Sequence, residues 1–130
     1  MMKTYQINIT VEAKHLDDLQ HVNNVQYLEW VQQISREHWQ KLSRPEWDAH
    51  YIWVVRSHLI TYQRPAVLGD VLTVTTHVKV SRGAQSERHV LISIADTGSP
   101  VVTCKTNWVL LDAKSGRPAR MPETMIKALN

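Results

Sequence analysis

The 130-residue chain has one cysteine, Cys104, so no internal disulfide can form. That fits a reducing compartment, and within "VVTCKTNWV" the residue reads as a small apolar strand position rather than a reactive thiol. No apolar run approaches the roughly 18 residues of a membrane span, and "MMKTYQINIT" lacks the apolar core of a signal peptide. The expectation is a cytoplasmic protein without a membrane partner. Lys and Arg give a net charge of +3 but never gather into a basic block, so no nucleic-acid partner is expected. A modest positive balance suits an anionic small molecule, because a few placed cations hold one pyrophosphate. Also missing are βαβ alternation, internal repeats and low-complexity segments.

What is present reads as one domain spanning residues 1–130, with 43% hydrophobic and 21% charged residues, enough for a single core. In "TYQINITVEA" the apolar Tyr5, Ile7, Ile9 and Val11 alternate, the period of a half-buried strand. From Val25 to Leu42 there is no Gly or Pro. Val25, Leu28, Val31, Ser35 and Trp39 share one helical track with Tyr27, Trp30, Ile34 and His38 beside it, predicting a long helix lying against a sheet. "SRPEWDAHY" reads as a turn-rich connection. Strands follow at about 52–62, 71–80, 87–95 and 100–111, separated by "RPAVLGD", "SRGAQS" and "DTGSP". Their apolar sides are Leu72, Val74, Val78 and Val80 in one, and Val102, Cys104, Trp108 and Leu110 in another. A turn at Ser115-Gly116 and a short helix from about Glu123 close the chain. The class is α+β: a five-stranded antiparallel sheet wrapped around one long central helix.

Before the helix, "LDDLQHVNNV" places two carboxylates, a histidine and two asparagines at one helix entrance. A cap accounts for one Asn at most. "DLQHVNNVQYLEW" resembles the DxxxH(V/L)NNxxY pattern of acyl-CoA thioesterases in the 4-hydroxybenzoyl-CoA thioesterase family, which have the hotdog fold. Asp17, His21, Val22, Asn23, Asn24 and Tyr27 stand in the matching places. "ITYQRPAVLGDVLTVTTHV" and "LDAKSGRPARMP" are similar to later parts of the family pattern, so the likeness runs from Tyr5 to Pro122.

The resemblance implies that Asp17, not Asp18, is the catalytic carboxylate and that the Asn24 backbone N–H polarises the thioester carbonyl. The residues beside them suit supporting roles, His21 orienting the loop or positioning water and Asn23 holding Asp17 or capping the helix. The resemblance further implies a homodimer or homotetramer with sites between subunits. Substrate contacts are expected from Tyr27 and, for the coenzyme A phosphates, from Arg82, Arg88 and Ser81 around the "SRGAQS" turn. The substrate would be an acyl-CoA or an acyl-carrier-protein thioester, with no cofactor. His15, Asp17 and His21 do not make a convincing metal pattern without a third defined ligand, and no metal is expected.

The residues themselves permit that chemistry. Asp17 would either attack the carbonyl or take a proton from water. Unpaired N–H groups at a helix start favour the negative charge that forms on the carbonyl oxygen. A thiol pKa of about 8.5 makes thiolate a good leaving group. Two other readings stay open. A hotdog hydratase or dehydratase would use an Asp and His pair, although its Gly-Asp-x-Asn-Pro-x-His pattern is absent. A non-catalytic acyl-thioester binding module would keep the Asp only as a turn residue. Ser57 and His58 are neighbours on a strand and point to opposite faces, so a serine triad is unsupported.

Overall fold

The computed structural model describes residues 3–130; Met1 and Met2 of the expected 1–130 unit lie outside the described residues. Strand β1 (Thr4–Thr10) leads through a single helical turn at Ala13–His15 and a loop into α1 (Asn24–Leu42). A short helix α2 (Pro45–His50) then precedes β2 (Tyr51–Tyr62), β3 (Val71–Arg82), β4 (Gln85–Ile94), β5 (Pro100–Asp112) and a closing helix α3 (Glu123–Leu129). The five strands form one antiparallel sheet in the order β1-β3-β4-β5-β2. A long helix entered after the first strand and embraced by that sheet is the expected hotdog arrangement.

Helix α1 buries Tyr27, Trp30, Val31, Ile34, Ser35 and His38, a stripe at the three- and four-residue spacing that keeps one face against the sheet. Its apolar members meet Leu72 and Val74 of β3, Val90 and Ile92 of β4, and Val102 and Cys104 of β5. Ile34 is fully buried, and each such side chain contributes roughly 1.5–3 kcal/mol by leaving water. Val25 does not join the stripe as expected. At the first turn of α1 it is 62% exposed, because the sheet starts to cover the helix only from Tyr27. A second cluster of Trp47, Val78, Leu110, Met121, Met125 and Leu129 fills the opposite end.

Three register shifts bend the sheet, in β3, in β2 and between β4 and β5, and the first two change which of the expected residues face inward. In β3 the register shifts between Val78 and Val80, so the inward series Leu72, Val74, Thr76, Val78 continues at Ser81, while Val80 is exposed. This corrects the expected place of Val80 on the apolar side. In β2 a shift between Val55 and Ser57 does the same, taking the inward series from Val55 to His58. β3 and β4 are joined by Gly83-Ala84 between the paired Arg82 and Gln85. Gly83 has φ +62°, the left-handed geometry that matches a two-residue hairpin to strand twist.

The connection expected at "SRPEWDAHY" is instead α2. Pro45 occupies its first turn, where a missing N–H costs nothing, and Trp47 is buried, stacked on Trp39 with ring centroids 6.0 Å apart. The Arg44 guanidinium lies 4.7 Å from the Trp47 ring centroid.

Candidate active site

The loop before α1 is tied at both ends by backbone pairing. Leu16 bridges to Val22, the Asp17 N–H donates to the His21 carbonyl at 2.8 Å, and the Asn23 N–H donates to the His15 carbonyl at 2.9 Å. Inside this closed loop Gln20 adopts φ +61°, the one non-glycine residue in the left-handed region among the described residues. A side chain with a Cβ takes that conformation at a cost, and the loop's tight closure on Asp17 holds it there.

Asp17 sits at the loop's mouth. Its Oδ1 accepts from the Leu19 N–H at 2.9 Å and the His21 N–H at 3.2 Å. Its Oδ2 makes no hydrogen bond among the described residues, so one oxygen fixes the carboxylate and the other is left without a partner there. Asp18 is exposed and makes no such contacts.

The loop rests on the β2–β3 connection "RPAVLGD". The Val22 N–H donates to the Ala66 carbonyl at 2.9 Å, His21 bridges to Val67, and the Ala66 N–H donates to the Tyr27 hydroxyl at 3.3 Å. Tyr27 is 2% exposed. Burial, opposed by that N–H and assisted by the carboxylates of Asp70 and Asp17 and by Tyr62, holds its phenol above the usual range, so it stays neutral. Asp70 braces the same turn by accepting from the Val67 N–H at 2.9 Å. The second sequence motif therefore supports the first.

At the helix start the Asn23 Oδ1 accepts from the Val25 N–H at 2.9 Å. Asn23 is the cap of α1, and of its two expected roles the structure places it in this one. The Asn24 N–H makes no hydrogen bond among the described residues and stands at the positive end of a 19-residue helix. The His21 backbone closes the loop, while its partly exposed ring makes no hydrogen bond among the described residues. His15 is engaged elsewhere: it is buried, accepts from the Glu12 N–H at 2.9 Å through Nδ1, and meets Trp30 edge-on at 5.0 Å.

The residues expected around the "SRGAQS" turn are not brought together. Arg82 is exposed at the turn. Ser81 points inward and shares a 3.0 Å hydrogen bond with Ser86. Arg88 is 4% exposed and lies inside the fold, where Nη1 donates to His38 Nδ1 at 2.8 Å and to Thr76 Oγ1 at 3.1 Å. A phosphate approaching this turn from solvent meets Arg82, not Arg88 or Ser81. The inward turn of Arg88 follows from strand alternation, since Ser86, Arg88, Val90 and Ile92 all occupy the buried face of β4. Sequence reasoning missed this polar cluster of His38, Thr76 and Arg88, although that same alternation was the available signal.

Cys104 is buried, and desolvation pushes its thiol up from the ordinary value, the opposite of what a nucleophilic cysteine needs. Ser57 and His58 find different partners, Asn107 and Thr106. Among the described residues no helix is long and apolar enough to cross a membrane.

Residues 11–129 match the thioesterase-like superfamily. The long-chain acyl-CoA thioesterase FadM of Escherichia coli is 34% identical over 112 residues, covering 85% of each chain. Among solved structures, the probable thioesterase YbaW of Escherichia coli has 30% identity and a TM-score of 0.84, with 95% of both chains covered. A Thermus thermophilus thioesterase complexed with coenzyme A and zinc has 26% identity and a TM-score of 0.83, covering 95% of this chain and 90% of its own. On sequence and architecture together, the chain belongs to the thioesterase-like superfamily, as a thioester hydrolase on the hotdog fold.

Proposed function

We propose that the protein hydrolyses an acyl-CoA thioester to the free acid and coenzyme A, with Asp17 as the reacting carboxylate and the Asn24 N–H as the donor to the carbonyl oxygen. The observation that carries this reading is the divided carboxylate of Asp17: one oxygen held by two backbone N–H groups, the other free, in a loop closed onto the helix start that presents Asn24. The oxygen of Asp17, or of a water it deprotonates, adds to the carbonyl carbon. Negative charge then develops on the carbonyl oxygen beside the Asn24 N–H and the dipole of α1, and the C–S bond breaks to release thiolate. If Asp17 itself is the nucleophile, water cleaves the resulting anhydride in a second step.

His21 and Asn23 support this chemistry by closing the loop and capping the helix, and Tyr27 fixes the loop to the β2–β3 turn. Arg82 is the basic residue at the "SRGAQS" turn best placed for a coenzyme A phosphate. The likeness to FadM, whose name gives a long-chain acyl-CoA substrate, supports the acyl-CoA class. The protein acts as a cytoplasmic homodimer or homotetramer. Exposed Ile52 and Val54 on the edge strand β2, and Leu19, Val25 and Val67 around the Asp17 loop, are apolar surface that a second subunit would cover.

The deciding experiment follows free-thiol release from a chain-length panel of acyl-CoAs by the wild type and by Asp17→Asn. Turnover by the wild type and its loss in the variant is the expected result. An unimpaired variant would overturn the role of Asp17, and silence of the wild type on every chain length would overturn the substrate class. Light scattering at twice or four times the 15.0 kDa protomer mass is expected; a monomer would contradict a site between subunits.

A further inference from the structure

A cavity of about 360 Å³ lies between the second half of α1 and the sheet, away from the Asp17 loop in sequence and lined by Ser35, Trp39, Trp53, Arg88, Trp108 and Leu129 among others. Its walls are mostly aromatic and aliphatic, yet Arg88 reaches it from the buried face of β4. Nη1 of Arg88 is spent on His38 and Thr76, while Nε and Nη2 make no hydrogen bond among the described residues. No carboxylate lies within ion-pair distance of this guanidinium among those residues. Burial pushes its pKa down only to about 10, so it remains a cation at neutral pH.

A buried cation without a counter-ion is costly. One chemistry answers that cost in a largely apolar cavity, an anionic oxygen group carried on an apolar body. We propose that this cavity is a binding site for an organic carboxylate, its head on Arg88 and its hydrocarbon against Trp39 and Leu129. A carboxylate suits the planar guanidinium, which offers it parallel donors, and the cavity volume falls within the range of small-molecule sites. The carboxylate has two sources: a free acid, or the far end of an acyl group that carries a second carboxylate.

The two sources separate in one set of experiments. In the first arm, decanoate is titrated against decanol and decanamide, read by intrinsic tryptophan fluorescence, since three tryptophans line the cavity. In the second arm, hydrolysis of an ω-carboxyacyl-CoA is compared with that of the plain acyl-CoA of equal length. The first arm stands apart from the proposed hydrolysis and the second rests on it, so failure of the hydrolase reading leaves the first intact.

Saturable binding of decanoate, tighter than either neutral analogue and weakened about tenfold or more by Arg88→Met, identifies the free acid. A lower KM for the ω-carboxyacyl-CoA that is lost in Arg88→Met identifies the substrate's own carboxylate. Because Arg88 is buried, Ser35→Met serves as a second variant: it fills the cavity from α1, keeps the arginine, and is expected to weaken the same ligand by a similar factor. Equal binding of decanoate and decanol, together with equal KM values for the two acyl-CoAs, would overturn the proposal. So would full carboxylate preference in a folded Ser35→Met.

Discussion

Asp17 and Asp18 are adjacent and chemically identical, and the backbone alone separates them. Asp17 Oδ1 receives the N–H groups of Leu19 and His21, whereas Asp18 is solvated. Asp17→Asn keeps an Oδ1 that accepts from both N–H groups, so the loop is expected to survive while turnover falls by about 10²–10⁴-fold, the usual contribution of a positioned base. Asp18→Asn should leave activity and stability within the small changes typical of surface substitutions. Comparable losses of turnover in both variants would assign the effect to loop charge instead. Asn23→Ala removes a cap and should lower stability by ~1 kcal/mol, with Asn23→Ser recovering most of it, read as urea midpoints. The carboxylate's position was legible because the motif fixes it relative to the helix start. The part played by Asn23 was only half legible, since holding Asp17 and capping the helix both satisfied the spacing until the 2.9 Å contact to Val25. Arg88 was misplaced: proximity in sequence to a glycine turn suggested a surface cation, but alternation along β4 turns it inward.

At the level of elements, periodicity carried most of the information, and it failed where elements are short or irregular. The helix over Asn24–Leu42 and the four later strands follow from runs long enough to show a period. Helix α2 has six residues, less than two turns, so no stripe can form and Pro45 reads equally as a turn. Its anchor is tertiary. Trp47 is stacked on Trp39, which meets Trp53 edge-on at 5.7 Å, so α2 is fastened to α1 and β2 through three indoles in contact. Trp47→Ala is expected to cost about 3–5 kcal/mol, the range for deleting a large buried aromatic, and Trp47→Phe distinctly less. A loss below 1 kcal/mol in chemical denaturation would show that α2 is not held this way. The bulges at Lys79 and Arg56 were invisible for a related reason: each adds one residue to a strand whose pattern otherwise continues, so Val80 looked inward and is not. Because the bulge makes Ser81 the inward residue, it also seats the Ser81–Ser86 pair near the cavity that Arg88 enters.

Across the whole molecule, His38, buried on α1 against β4, and the partly buried His58 and His77 of the sheet contribute to the response to acid. His38 is 3% exposed; desolvation first, then the charges of Arg88 and Lys3, bring its pKa down from 6.5 to about 4. Its Nδ1 is therefore a neutral acceptor for Arg88 at neutral pH. His58 and His77 are also lowered, chiefly by desolvation. For a base whose folded pKa is depressed, the unfolded chain binds the proton first as pH falls. Stability is thus complete above about pH 6.5 and is lost progressively as pH drops toward 4. His38 alone accounts for at most ~3 kcal/mol of this loss. Below that window the depressed carboxylates Glu87, bonded to His89, and Asp112, bonded to the N–H groups of Ser115 and Lys114, extend the loss in the same direction. Urea denaturation at pH 7.5, 6 and 5 should show midpoints falling with acidity. His38→Asn, whose Oδ1 can accept from Arg88 without titrating, should flatten the slope between pH 6.5 and 4. A wild type with equal midpoints at pH 7.5 and 5 would show that His38 is not held neutral by the fold. A variant with an unchanged slope would move the effect to His58 and His77, away from the contact between α1 and β4.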